Sequence, residues 1–74
     1  MPELPRISGA QAIKVLGRLG FKVVRQKGSH VVLRNLDKGC VIPLHHELAI
    51  GTLRSAIKQA SLSVAEFVDA YRER

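Results

Sequence analysis

Apolar residues recur along the chain with two different periods, and the changes of period separate helical from extended segments. Ala12, Ile13, Leu16 and Leu19 fall at helical spacing and predict a helix that buries one stripe. Ser8, with Gln11 three residues on, forms a capping box that starts it, since each side chain satisfies a backbone N–H that the first turn leaves free. Gly20 stands where a left-handed residue ends a helix. Lys14 and Arg18 give a second face positive charge. Gly17 inside this helix costs about 1 kcal/mol relative to alanine, and close packing against another backbone is the expected reason for it.

Phe21 to Gln26 and Ser29 to Asn35 are rich in β-branched residues and read as strands. Lys27-Gly28 between them suits a two-residue hairpin turn in which Gly28 supplies positive φ, and a turn centred there sets Arg25 opposite His30. Alternation puts His30, Val32 and Arg34 on one face and Ser29, Val31 and Leu33 on the other. Both sets contain apolar residues, so period alone leaves the open face undecided. Asp37-Lys38-Gly39 reads as a second turn and Cys40 to Leu44 as a third strand, with Pro43 confined to an edge or a strand end because it has no N–H for a ladder.

A loop from His45 to Ile50 follows, and Leu53, Ala56, Ile57 and Ala60 then predict a second helix starting near Gly51 or Thr52. Ser63 and Glu66 make another capping box, Leu62 is placed to staple onto Phe67, and Val64, Phe67, Val68 and Tyr71 stripe a last helix. The expected fold is α+β, with a three-stranded antiparallel sheet and the helices on one of its faces. The order is that of a double-stranded RNA-binding domain, α-β-β-β-α, with an extra C-terminal helix.

A chain of 74 residues, 46% hydrophobic and 24% charged, has the balance of a packed protein and room for one domain, taken as residues 1–74. Met-Pro-Glu-Leu-Pro at the start lacks the basic and apolar runs of a leader, and no apolar run approaches the ~20 residues that span a bilayer. A cytoplasmic location without a membrane partner is therefore expected. Cys40 has no second cysteine to pair with and, beside Val41 and Ile42, reads as a buried strand thiol with no chemical role.

Charge changes the picture more. The net charge is +6 and the pI about 10.3. From Leu4 to Leu36 the chain has seven basic residues (Arg6, Lys14, Arg18, Lys22, Arg25, Lys27, Arg34) and no acidic one. From Asp37 onward five basic residues meet five acidic ones. A general solubility charge is the plainer explanation, but the asymmetry points to a polyanion on one side of the fold, most simply a nucleic acid.

The candidate chemistry narrows accordingly. His45 and His46 are adjacent, Cys40 is alone, and neither HExxH nor CxxC occurs, so neither a metal nor another cofactor is expected. A Walker-type phosphate loop and a recognisable Ser-His-Asp arrangement are also missing. RNA, however, brings its own nucleophile: its 2′-hydroxyl attacks the adjacent phosphate once something removes its proton, stabilises the added negative charge and protonates the leaving 5′-oxygen. A histidine with two cations is sufficient, because imidazole titrates near neutrality and lysine or arginine stabilises the phosphorane. His30 lies in Arg25-Gln26-Lys27-Gly28-Ser29-His30, close to two cations and a hydroxyl. In such a site Gly28 lets a phosphate approach the backbone and Arg34 extends the phosphate track. Strand histidines are more often packed structural residues than catalysts, so these residues alone make His30 a candidate. His45 is a secondary one, in a loop that more simply reads as a solvated turn.

Gly20-Phe21, Arg25 to His30, Val41-Ile42-Pro43-Leu44-His45, Glu47-Leu48 and Gly51-Thr52-Leu53 together resemble the HicA (YcfA-like) family of toxins, over about Ser8 to Phe67. The resemblance implies a ribosome-independent mRNA interferase whose essential histidine, in the glycine-serine-histidine motif, is His30. A second histidine of the family falls on His45. It also implies a HicB-like antitoxin that blocks the active site and carries the DNA-binding function, so that specific DNA binding by this chain alone is not expected. The competing reading is a non-catalytic RNA-binding module of the same fold. A helix-turn-helix DNA binder fits poorly, because strands occupy the middle of the chain.

Overall fold

The computed structural model describes residues 3–73. Met1 and Pro2, which enter the reading of the N-terminus, and Arg74, which enters the charge count, lie outside them. The elements run α1 (Gly9–Arg18), β1 (Lys22–Lys27), β2 (His30–Asn35), β3 (Lys38–Pro43), α2 (Ile50–Gln59) and α3 (Val64–Arg72). Both pairings are antiparallel and the sheet order is β1-β2-β3, the expected meander.

The local signals at the helix ends act as anticipated. At α1 the Ser8 hydroxyl accepts from the Gln11 N–H at 3.1 Å while Gln11 Oε1 accepts from the Ser8 N–H at 2.9 Å. Ser63 and Glu66 do the same for α3 at 3.0 and 2.9 Å. Gly20, at φ +94°, closes α1: its N–H donates to the Gly17 carbonyl and that of Phe21 to the Leu16 carbonyl, the paired bonds of a Schellman motif. Helix α2 begins at Ile50, slightly earlier than expected, with Ala49 at its cap making no side-chain hydrogen bond.

Two strand turns differ from expectation by a small slip. Lys27 pairs with His30, so the first turn is Gly28-Ser29 and not Lys27-Gly28, and Arg25 pairs with Val32 in place of His30. Gly28 has φ +60° and Ser29 does not, which is the type II′ arrangement with glycine first, and its twist matches that of the flanking strands. The second turn is Leu36-Asp37, since Asn35 already pairs with Lys38, and it holds Leu36 at φ +58° with its side chain in solvent. Pro43 ends β3, as its missing N–H requires.

One face of the sheet is covered and the other is open. Val31, Leu33, Cys40 and Ile42 are buried against Ala12, Val15 and Leu16 of α1, Leu53, Ala56 and Ile57 of α2, and Phe67 and Val68 of α3. The choice of face follows from solvation: the covered set is entirely apolar, whereas covering the other would strip water from His30, Arg34 and the cations of β1. The segment after β3 is stitched to the start of α1, the Gly9 N–H donating to the His45 carbonyl (2.9 Å) and the Leu48 N–H to the Ile7 carbonyl (2.8 Å). A Cβ on Gly9 would collide with the Pro43 carbonyl oxygen, so only glycine permits this approach. Gly17 has the opposite surroundings: nothing lies within 4 Å of where its Cβ would be, so the backbone packing expected for it is absent.

Candidate active site

Of the candidates from the sequence, His30, Arg25, Lys27 and Arg34 share the open face of the hairpin β1-β2, Gly28 and Ser29 form its turn, and His45 lies in the loop after β3. Residues paired across an antiparallel ladder share a face, with Cβ atoms about 4.5–5.5 Å apart. Lys27 is therefore the cation beside His30; Arg25 lies one pair further along the same face, against Val32. Arg34 lies at the far end of the face, paired with Lys22 on one side and Gly39 on the other. A Cβ at Gly39 would stand 3.5 Å from Arg34 Cγ, so the arginine stem lies over the glycine. His30, Arg25, Lys27 and Arg34 are all exposed.

The turn is braced from within and from the side. Gln26 Nε2 donates to the Gly28 carbonyl at 3.1 Å, and the Ser29 carbonyl accepts from the Leu44 N–H at 2.7 Å. This second bond extends the β2-β3 ladder past the His30–Pro43 pair and brings the start of the His45 loop alongside the hairpin tip. His45 therefore sits at the same end of the sheet as His30, its backbone fixed by Gly9 and its side chain exposed. Gly9 was not evident as a contributor in the sequence, because its role depends on a carbonyl far along the chain. Lys22 was missed for a different reason: strict alternation assigns it away from Arg25, and the register shift between Val23 and Arg25 brings it back to their face.

This face carries four cations and, among its described residues, no carboxylate. The ion pair present among the described residues, Arg6 with Glu47 at 3.6 Å, is elsewhere and exposed. Arg18, expected to contribute to a charged stripe on α1, donates instead to the Ala70 carbonyl (2.7 Å) and the Tyr71 carbonyl (3.3 Å), where a cation complements the C-terminal end of α3. Cys40 lies on the covered face, and burial pushes its thiol up to about 11, so it remains protonated and poorly nucleophilic at neutral pH. Among the described residues no three His, Cys, Asp or Glu side chains gather as metal ligands would. Nor is any helix of those residues long and apolar enough to cross a membrane.

The site is a surface and not a cavity. A groove lined by Leu4, Arg6, Ile50, Arg54 and Val64 lies among the helices and the N-terminal segment and includes none of these candidates. An open cationic sheet suits a polymer with repeated charges better than a small molecule, which needs enclosure.

Residues 9–62 match the family model described as the HicA toxin of bacterial toxin-antitoxin systems. The chain belongs to the HicA toxin family. The match covers α1, the whole sheet, the His45 loop and α2, and stops at Leu62, short of the Phe67 limit expected from the sequence. No curated protein matches the chain. As a HicA toxin it is one half of a toxin-antitoxin pair, and membership implies an antitoxin partner.

Proposed function

We propose that this HicA toxin is a metal-independent mRNA endoribonuclease in which His30 moves the proton, and that a HicB-like antitoxin neutralises it by covering the same face. The observation that carries this reading is the pairing of an exposed His30 with Lys27 on a face that has further cations and no carboxylate. In the step envisaged, the 2′-oxygen of the substrate forms a bond to the adjacent phosphorus as its proton leaves, and the P–O5′ bond breaks as the 5′-oxygen gains one. The products are a 2′,3′-cyclic phosphate and a 5′-hydroxyl, and water is not consumed. His30 acts as general base or acid, Lys27 stabilises charge on the phosphorane, Arg25 and Arg34 hold flanking phosphates, and Gly28 and Ser29 let the strand approach the turn.

Because Lys27 is exposed, removing it costs less than removing a buried oxyanion donor; on the order of 1 kcal/mol, or about fivefold in rate, is expected for Lys27→Ala. The deciding experiment is cleavage of a long labelled single-stranded RNA by purified toxin in excess EDTA, with His30→Ala alongside. EDTA-resistant cleavage that ends in a 2′,3′-cyclic phosphate and vanishes in His30→Ala supports the assignment. RNA binding by both proteins with cleavage by neither would make the chain the non-catalytic RNA-binding module.

A further inference from the structure

Lys22 and Arg25 are three residues apart, and in an unbroken strand they would point to opposite faces. The register shift between Val23 and Arg25 leaves Val24 as the extra residue of a bulge, so that Lys22 pairs with Arg34, Arg25 with Val32 and Lys27 with His30. One irregularity thus aligns every Lys and Arg of β1 with Arg34 and His30. The order along the face has a direction: His30 and Lys27 stand next to the turn, and Lys22 and Arg34 stand at the other end. Since the turn closes the hairpin immediately beyond His30, the cations of these two strands all lie on one side of it.

From His30 to Arg34 the strand rises about 13 Å at roughly 3.3 Å per residue. A nucleic-acid strand stacked in a duplex advances about 3.4 Å along the helix axis per phosphate, and an extended single strand spaces its phosphates about twice as far apart, so that length reaches about two to four nucleotides. We infer that an RNA strand held for cleavage at His30 runs from the scissile phosphate along β1 toward Arg34, and that Lys22 is an RNA-positioning residue gripping a phosphate about two to four nucleotides from the cut. This rests on the ribonuclease reading for the location of the cut, but the track itself can be measured without turnover.

In a His30→Ala background, binding of a labelled single-stranded 12-nucleotide RNA is followed by anisotropy over a range of salt. Adding Lys22→Ala is expected to weaken binding roughly threefold to tenfold at low salt and to reduce the salt slope by about 0.7, the value for one phosphate contact on a single strand. Lys14→Ala, on α1 behind the sheet, is expected to leave the slope unchanged. In the active toxin Lys22→Ala raises KM by the same factor while kcat holds, and abolishes the advantage of lengthening the RNA on one side of the cleaved bond to about two to four nucleotides. An unchanged slope for Lys22→Ala, with a reduced one for Arg25→Ala and Lys27→Ala, overturns the inference and leaves the ribonuclease reading intact. A reduced slope for Lys14→Ala in place of Lys22→Ala moves the RNA to the helix side and also overturns it. Failure of the native chain to cleave counts against the ribonuclease reading, while a reduced slope for Lys22→Ala still upholds the track.

Discussion

Ser61 holds the left-handed position that closes α2, at φ +58°, with its N–H bonded to the Lys58 carbonyl and that of Leu62 to the Ile57 carbonyl. At the end of α1 the same pair of bonds forms around Gly20, which has no Cβ to crowd the following carbonyl. A left-handed L-residue costs roughly 1–2 kcal/mol, part of which glycine returns through its freer unfolded chain. Ser61→Gly is therefore expected to stabilise the fold by on the order of 1 kcal/mol, raising Tm by roughly 4–8 °C in a domain of this size. Thermal unfolding followed by circular dichroism checks it, and an unchanged or lower Tm would mean the serine hydroxyl compensates for the strain. Gly17→Ala, in open space within α1, should add a gain of about 1 kcal/mol from propensity alone. His30 contrasts with both: its side chain is exposed, so its substitution should leave stability within about 0.5 kcal/mol, and a loss of cleavage in His30→Ala would report chemistry and not unfolding.

At the scale of elements, the hairpin β1-β2 decides which cation meets the histidine, and a single glycine decides the hairpin. Gly28 occupies the first central place of the turn, where an L-alanine at φ +60° is strained whatever space surrounds it. Gly28→Ala is expected to cost about 1–3 kcal/mol and to lower cleavage by disturbing the Lys27–His30 pair that flanks the turn, whereas D-alanine introduced there by synthesis should be tolerated. A native Tm and native cleavage for Gly28→Ala would refute the turn assignment. The sequence displayed much of this architecture, because capping boxes and helical stripes are local: Ser8 with Gln11 and Ser63 with Glu66 act within one turn, and Leu53, Ala56, Ile57 and Ala60 are all buried as their spacing predicts. It did not display the register. Lys27-Gly28 and Gly28-Ser29 are equally plausible turns until strand twist selects glycine first, and nothing in Val23-Val24 marks a bulge. Hence the sequence alone sets Arg25 opposite His30 and gives no sign that Lys22 shares their face; the period is correct and the phase is not. The face occupied by the helices was likewise legible only once all three strands were aligned and the covered set proved free of charge.

The molecule as a whole is a sheet with a dry side and a charged side, and four of the cations behind its +6 net charge stand where no helix covers them. A small domain has little stability to spare, and leaving His30, Arg25, Lys27 and Arg34 solvated avoids the desolvation that burying them would demand. The same exposure suits the proposed neutralisation, because an acidic surface laid over the face would gain from charge complementarity and would exclude RNA by occupancy alone. If the antitoxin acts in this way, lysine reactivity will map it. Acetylation of the free toxin should modify the exposed Lys14, Lys22, Lys27 and Lys58, and complex formation should protect Lys22 and Lys27 while Lys14 and Lys58, on the helices, stay reactive. The association rate should also fall by about tenfold or more between low and high salt, as steering between opposite charges is screened. Protection of Lys14 and Lys58 with Lys22 and Lys27 still reactive would place the antitoxin behind the sheet. Inhibition would then have to act through the segment after Pro43, whose Leu44 N–H holds the Ser29 carbonyl and whose His45 carbonyl accepts from the Gly9 N–H, and not by covering His30.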